Sequence, residues 1–407
     1  MRPAIGAALH EAIDGLRALE PGDAFEPRAA TVIVEAGLHR LCVPAAAGGL
    51  GASMAEAAEV LMAIGAVDGS TGLGFAMQVH VTGALRDADG AAGSIRERLY
   101  RAILDDGALV NNAATEEGGG SPARGAIPGT RAEPDGDDPG SWRLTGEKTW
   151  TTWLPNLTHA FVTARLPDDD PSPDAPPTVG TFLVDLATPG VERREGFEAM
   201  GMRGSASGRL VLDTVRVPAD ALVQRRQVGE PDLRGAAPLA WFGVSIAATY
   251  LGVGEGARAE VVRWAMERRP GDGSTAVAEI PSVQLRLGRM DAELRAARIV
   301  VLDVARRWDQ DRAADDIGLA KLTATRAAVT ATDEALRIAG GPGFLAGRLE
   351  RAFRDARAGL INPPLEDVAL QGFGRLLVDS RRVAMRVSGS RTRASNEAAQ
   401  PTRSRTG

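Results

Sequence analysis

The stretch GEKTWTTW, residues 146–153, lies in the middle of the chain, where short β-rich runs alternate with spacers rich in Gly, Pro and Asp. Runs of β-branched and aromatic residues bounded by such spacers are typical of strands. The runs are ALVNNAAT (108–115), WRLTGEKTWTT (142–152), HAFVTARL (159–166), GTFLVDL (180–186) and RLVLDTVRVP (209–218). The pattern predicts a small antiparallel β domain or barrel over residues 108–225.

Helical periodicity flanks this β region on both sides. Residues 1–107 repeat apolar side chains at helical spacing, which predicts an N-terminal helical domain. Residues 226–387 contain long amphipathic stretches whose apolar stripes are wide enough for a helix bundle. These stretches are 241–269, 283–309 and 316–340. We therefore predict an α+β fold, with a disordered tail over residues 388–407 because that segment has almost no apolar side chains to bury.

Composition limits the classes of partner. The chain has 407 residues, 44% hydrophobic and 25% charged, which is enough for two or three cores. Its net charge of −6 comes without a long run of either sign, so neither a nucleic acid nor a membrane is expected as a partner. The sequence shows no basic-then-apolar leader and no twenty-residue apolar run, and we expect a cytoplasmic protein.

The metal-ligating residue types are sparse. The single cysteine, Cys42, excludes an internal disulfide and a thiolate metal cluster. Four scattered histidines show no paired ligand spacing, so a zinc hydrolase is not expected. They are His10, His39, His80 and His159. Redox chemistry in this chain would therefore need an organic cofactor.

A glycine-rich loop precedes the opening stretch. In NNAATEEGGGSPARG (111–125), a predicted strand ends in Thr-Glu and is followed by three glycines and a serine. Such a loop lets backbone N–H groups and a hydroxyl approach a phosphate or a planar ring closely. Three glycines also make an ordinary turn, so the loop alone does not decide the function.

Together these segments resemble the acyl-CoA dehydrogenase superfamily, whose β domain carries a T-E-x-G-x-G-S loop and a K-x-W-x-T strand. Residues 115–121 and 148–152 match these two motifs. Three further matches follow the family's order: VPAAAGGLGAS (43–53), AMGMRGSASGRLVLDTVRVP (199–218) and RIAGGPGFLAGRLERAFRDAR (337–357). The resemblance covers nearly all of the chain up to about residue 385. It implies a C-terminal four-helix bundle, bound FAD and a homodimer or homotetramer.

The resemblance also implies roles for the motif residues. Trp150 would form an aromatic wall for the flat isoalloxazine ring. Thr152 would donate toward flavin N5 or O4, and Thr115 would hold the pyrimidine edge. Ser121 would lie near the pyrophosphate or the acyl carrier. In the alternative interpretation, Trp150 is a core tryptophan and the threonines are ordinary strand residues.

Two further sets of residues would reach the cofactor. Many members follow the first long C-terminal helix with R-x-x-F-G, but the corresponding segment 267–284 has Arg268 and Arg269 without Phe-Gly. A guanidinium suits a phosphate because its planar fork pairs two oxygens, although a solvated helix end remains an equal alternative. The G-G-x-G turn implies that Gly340 and Gly341 contact the flavin of a neighbouring subunit.

The catalytic base is missing from its usual places. Acyl-CoA dehydrogenation removes an α-proton with a carboxylate. Many members carry this glutamate nine residues after the arginine of R-D-A, which is Pro363 here. Others carry it on the first long C-terminal helix, and the matching span 238–252 has no carboxylate. Glu366 remains as the candidate, unless Pro363-Pro364 simply starts a helix with Glu366 and Asp367 as its N-terminal acids.

We therefore expect an FAD-dependent dehydrogenase of fatty acid metabolism that oxidises an acyl-CoA or acyl-carrier thioester, with hydride transfer to flavin N5. A flavoprotein or a flavin reductase would be its electron-transfer partner. A reduced-flavin-dependent monooxygenase is the main alternative, since such members need no base; they tend to carry a histidine where this chain has Asn362. His80 is the one histidine that could lie near the substrate. A flavin-binding protein without turnover is the third possibility.

Overall fold

The computed structural model describes residues 1–88, 93–118, 126–168, 176–271 and 273–398, without side-chain detail beyond residue 382. Helices come first: α1 (Pro3–Ala18), α2 (Arg28–Glu35), α3 (Met54–Val67), α4 (Gly69–Asp87) and α5 (Gly93–Asp106). Eight strands follow: β1 (Val110–Ala113), β2 (Arg131–Pro134), β3 (Trp142–Thr151), β4 (His159–Arg165), β5 (Thr178–Asp185), β6 (Val191–Arg194), β7 (Gly208–Val217) and β8 (Leu222–Gln227). The last helices are α6 (Ala237–Glu267), α7 (Pro281–Asp311), α8 (Ile317–Ala339), α9 (Arg348–Ile361) and α10 (Glu366–Ala398). This order confirms the predicted α+β fold.

All eight strands form one sheet, in the order β6-β7-β3-β2-β4-β5-β8, with β1 beside β4. Most neighbours are antiparallel, as predicted, but β1 and β2 run parallel to β4. The long pair β3–β7 slips in register between Lys148 and Thr151. Such a bulge adds a residue on one strand and re-aims its side chain. Here it re-aims Trp150, whose φ is 55°.

Helix α4 lies between the sheet and the C-terminal helices, and nearly all of its residues are buried. Two glycines allow this close packing. A Cβ at Gly74 would lie 2.3 Å from the indole of Trp153, and one at Gly83 would lie 2.3 Å from the indole of Trp241. Because Trp153 follows β3 and Trp241 lies on α6, helix α4 fixes the sheet against the bundle.

Helix α6 is the centre of the bundle. It is long and apolar enough to cross a membrane. However, 83% of its most apolar 18-residue stretch is buried inside the protein, which is typical of a core helix. Helix α8 runs parallel to it, since Gly243 packs on Ile317 and Gly254 packs on Ala328. The C-terminal ends of α6 and α8 therefore lie at the same end of the bundle.

The carboxylate of Asp87 joins α4 to α6 and α7. It accepts hydrogen bonds from Trp241 Nε1 at 2.8 Å, Trp308 Nε1 at 2.9 Å and Arg312 at 2.9 Å. Its side chain is only 2% exposed, and Arg86 pairs with it at 2.8 Å. Burial acts to raise the pKa of this carboxyl, but the Arg86 and tryptophan partners hold the pKa below its ordinary value. Asp87 is therefore a charged acceptor for several buried donors.

The chain divides into two compact units, residues 1–362 and 363–407. The second unit contains α10, which begins at Glu366 and has Glu366 and Asp367 in its first turn. This is the arrangement that the alternative interpretation of the Pro-Pro segment describes. Helix α10 also includes residues 388–398, where the sequence analysis expects disorder.

Candidate functional site

Trp150 presents an open aromatic face. It lies at the bulge that ends β3, and its side chain is 52% exposed, so it is not a core tryptophan. Phe197 stacks on the indole with a centroid distance of 4.2 Å and an interplanar angle of 23°. A large aromatic ring held half in solvent next to a second ring is a surface suited to a flat ligand.

The predicted threonines lie on segments next to Trp150. The carbonyl of Thr115 accepts the Thr149 amide at 2.8 Å, which pairs the loop after β1 with the end of β3. Asn111 Nδ2 donates to the carbonyl of Thr152 at 3.1 Å. The Thr152 hydroxyl lies 3.1 Å from that of Ser207. The structure therefore brings Thr115, Trp150 and Thr152 together, while their role as flavin ligands stays a prediction.

A buried ion pair fixes the start of the glycine-rich loop. Lys148 is fully buried, and its Nζ contacts the Glu116 carboxylate and the Thr163 carbonyl, the latter at 2.6 Å. Burial lowers the pKa of Lys148. Burial acts to raise the pKa of Glu116, but Lys148 and the Thr130 hydrogen bonds hold it below its ordinary value. The pair therefore links the Thr-Glu end of the loop to β3. Ser121 lies outside the described residues.

Unpaired polar atoms lie on the neighbouring strands β1 and β3, next to the residues described above. The Thr151 hydroxyl and the Asn112 side-chain oxygen are buried and have no hydrogen-bond partner among the described residues. Buried polar atoms are normally paired, so each unpaired one needs an explanation. The edge of an isoalloxazine ring offers both acceptors and an N–H donor, which a hydroxyl and an amide oxygen can pair. The open face of Trp150 and the nearby Thr152 hydroxyl fit a flavin, and the unpaired groups on the same strands are of the type that its edge can pair.

The other predicted cofactor residues meet at one end of the bundle. Arg268 and Arg269 follow the C-terminus of α6, and Gly340 and Gly341 follow that of α8. Both arginines are exposed, and neither side chain has a hydrogen bond within the described ranges. Gly340 has a φ of 63°, which glycine adopts without strain. Contact of this end with a second subunit stays a prediction.

Two neutral side chains contact each other beside the usual base positions, the span 238–252 and Pro363. Tyr250 lies on α6 within the span 238–252, and Asn362 follows the last residue of α9. Asn362 Nδ2 donates to the Tyr250 hydroxyl at 2.7 Å. Tyr250 is fully buried, and burial raises its pKa, so it stays protonated. Tyr250 could not be singled out from the sequence, because it belongs to no motif.

His80 is a packed, neutral histidine. It is 5% exposed, and its ring meets the edge of Phe242 on α6 at 5.2 Å. Burial lowers its pKa to about 4, so the ring carries no charge at neutral pH. Its Nδ1 has no hydrogen-bond partner within the described part of the chain. The packing agrees with a helix-packed histidine, and a role toward substrate stays a prediction.

Asp355, the aspartate of the R-D-A motif, anchors the segment that carries Ser205 and Ser207. Its Oδ1 accepts the Met202 amide at 2.5 Å, three residues before Ser205. It lines a cavity with Asp68, Arg348 and Arg351. Burial raises the pKa of the Asp355 carboxyl to about 6, and the nearby Asp68 adds to this effect. The carboxyl therefore titrates well above the pKa of an aspartate in an unfolded chain.

Asp355→Asn should change how stability depends on pH. Between the unfolded pKa and the folded value of about 6, folded Asp355 keeps a proton that the unfolded chain has released. Stability therefore falls as pH rises through this window, by about 3 kcal/mol for a shift of about two units. Asparagine keeps an acceptor for Met202 and removes the titration. Urea unfolding at pH 4 and pH 7 should show the variant gaining stability relative to wild type at pH 7. An equal difference at both pH values would contradict this expectation.

Known proteins share this fold and these segments. A family model for the acyl-CoA dehydrogenase C-terminal domain matches residues 236–362, and one for the middle domain matches residues 111–215. "Putative acyl-CoA dehydrogenase YdbM" of Bacillus subtilis is 34% identical over 83% of this chain and 85% of its own length. "Amino sugar nitrososynthase RubN8" of Streptomyces rubradiris is 31% identical over 79% of this chain and 76% of its own length. KijD3, solved in complex with FMN and a dTDP-linked amino sugar, is 26% identical with a TM-score of 0.80, covering 93% of this chain and 95% of KijD3.

Proposed function

The chain belongs to the acyl-CoA dehydrogenase superfamily of flavin-dependent oxidoreductases, and we propose that it acts within this superfamily as a reduced-flavin-dependent monooxygenase on an amine nitrogen. The observation that carries this proposal is the hydrogen bond between Tyr250 and Asn362. Pro363 stands at one place where dehydrogenases of this superfamily carry the glutamate base, and the span 238–252 that matches the other has no carboxylate. Tyr250 within that span contacts Asn362, the residue before Pro363. Removal of an α-proton needs a base within reach of the substrate. Oxygenation of an amine nitrogen needs no such base.

The flavin would bind at the end of β3. Trp150 would cover one ring face, Thr152 would donate to the N5 edge, and Thr115 would lie at the pyrimidine edge. When bound and reduced, a flavin supplies the two electrons with which dioxygen gives one oxygen atom to the amine and the other to water. KijD3 takes FMN in this fold, which supports a flavin here. FAD is the form that the family motifs predict.

The pair Tyr250–Asn362 supplies neutral groups beside the positions where dehydrogenases carry a base. The Tyr250 oxygen accepts from Asn362, which leaves the phenolic proton without an acceptor among the described residues. Because burial keeps the phenol protonated, it can donate a hydrogen bond but cannot take a proton. RubN8 and KijD3 support an amino sugar as the substrate class.

The proposal is tested by supplying reduced flavin from a flavin reductase with NADH and measuring the hydrogen peroxide formed per NADH oxidised. Free reduced flavin turns dioxygen into hydrogen peroxide, whereas oxygenation of an amine gives water, so we expect less peroxide when primary amines or amino sugars are added. In a parallel experiment without oxygen, a panel of acyl-CoA thioesters should leave the flavin absorbance near 450 nm unchanged. Bleaching by an acyl-CoA, together with an unchanged peroxide yield in the presence of amines, would contradict the proposal.

Acyl-thioester dehydrogenation is the second candidate. The similarity to YdbM favours it, and Glu366 is the base it would use. For a dehydrogenase, Glu366→Gln should lower the rate of flavin bleaching by an acyl-CoA at least about 100-fold, the effect of a lost general base. For the proposed monooxygenase, the same change should leave the amine-dependent decrease in hydrogen peroxide within about twofold of wild type. Asp367→Asn, the neighbouring acid in the same helix turn, is the matched control.

A further inference from the structure

We propose that Phe197 and Arg209 form a backing layer that fixes the Trp150 indole, so that the flavin stacks on the indole face opposite Phe197. This inference rests on the proposed flavin site and assigns two positioning residues to it. Neither lies in the T-E-x-G-x-G-S loop or the K-x-W-x-T strand. Phe197 lies in the segment before β7, and Arg209 lies on β7 itself.

The three side chains form successive layers. The Phe197 ring stacks on the Trp150 indole at 4.2 Å, and the Arg209 guanidinium lies over the Phe197 ring at 5.2 Å from its centroid. Arg209 is itself held by two carboxylates, Glu117 at 2.6 Å and Glu147 at 2.7 Å. An aromatic stack and a cation–π contact thus hold Phe197 on both sides.

The exposure of Trp150 indicates which face is left for a ligand. The indole is 52% exposed even though Phe197 covers one of its faces. For a flavin to take the covered face, Phe197 would have to break both its stack with Trp150 and its contact with Arg209. A flavin on the opposite face breaks neither contact. The open face is therefore the binding face.

The contacts of Arg209 also join the elements around Trp150. Glu117 belongs to the glycine-rich loop and Glu147 to β3, so Arg209 links β7 to both. Without this layer, a half-exposed tryptophan at a bulge would sample several rotamers. Ordering it on binding would then weaken flavin affinity. Phe197 carries no charge, so it acts on affinity through geometry and leaves the reduction potential of the flavin unchanged.

Flavin titration of the apoprotein tests this inference. We expect Phe197→Leu and Arg209→Met each to weaken binding of FAD or FMN about tenfold, equivalent to about 1.4 kcal/mol. The reduction potential of the flavin bound to Phe197→Leu should match wild type. The matched control is Phe353→Leu, because the Phe353 ring carries a cation–π contact with Arg357 at 3.6 Å on α9. This control should bind flavin like wild type.

The possible outcomes separate the two proposals. If wild type binds flavin and Phe197→Leu binds it equally or more tightly, Phe197 does not back the indole, and only this inference is overturned. A shifted reduction potential with unchanged affinity in Arg209→Met would also overturn it, because Arg209 would then act through its charge. If wild type binds no flavin, the proposed function and this inference both fail.

Discussion

Replacing Asp87 by alanine is expected to lower the free energy of unfolding by about 3–5 kcal/mol, the usual cost of removing one partner from a buried ion pair. The substitution leaves the indole N–H groups of Trp241 and Trp308 and the cation of Arg86 without their acceptor. Each unpaired buried donor keeps its desolvation cost without a compensating hydrogen bond. Since α4, α6 and α7 all meet at this carboxylate, the loss should affect the whole first unit.

Thermal unfolding followed by circular dichroism provides the measurement. At about 2.1 cal/mol/K of unfolding entropy per residue, the first unit of 362 residues shifts by about 1.3 °C per kcal/mol, so the midpoint should fall by roughly 4–7 °C. Asp303→Ala is the matched control, because Asp303 is 63% exposed and pairs with Arg307 one turn away on α7. Exposed pairs of this kind contribute little, so its midpoint should stay within about 2 °C. Similar shifts in the two variants would show that Asp87 has no special role.

Replacing Trp150 by alanine is expected to weaken flavin binding about 100-fold. Stacking of a flat heterocycle on an aromatic side chain contributes about 1–3 kcal/mol when measured by alanine substitution. The lost apolar contact area of the indole adds to this effect. Because Trp150 is 52% exposed, its removal should change the stability of the fold little. Loss of binding can therefore be separated from unfolding.

Equilibrium titration with flavin, followed by the quenching of flavin fluorescence, gives the dissociation constant. Trp150→Phe is the matched control, since a phenyl ring keeps an aromatic face and should cost less than about tenfold. Circular dichroism of both variants should match that of wild type. Unchanged flavin affinity in Trp150→Ala would mean that the flavin does not lie on this indole.

The long elements could be predicted from the sequence because their periodicity extends over many residues. The stretches 241–269, 283–309 and 316–340 became α6, α7 and α8. The short strands β2, β6 and β8 were missed. Their sequences RAEP, VERR and LVQRRQ carry several charges and too few apolar residues for an alternating pattern. They are strands because they pair with β3, β7 and β5, which only the folded chain provides.

The residues of the candidate site also fall into those that the sequence predicted and those that it did not. Thr115, Trp150 and Thr152 were predicted because family motifs mark them, and the structure places them on adjoining segments. The contacts of Phe197 with Trp150 and of Tyr250 with Asn362 could not be predicted. Tyr250 and Asn362 are 112 positions apart in the chain, and neither belongs to a motif. Their contact depends on how α9 packs against α6.

The most direct test of the proposed chemistry is isotopic. The flavin-loaded protein, a flavin reductase and an amino sugar are incubated under ¹⁸O₂ in ordinary water, and the product is analysed by mass spectrometry. The account predicts that each oxygenation adds one ¹⁸O atom to the substrate nitrogen and that the label is absent when ¹⁸O is supplied as water instead. A product without label from ¹⁸O₂, alongside an acyl-CoA that is oxidised in the absence of oxygen, would contradict it.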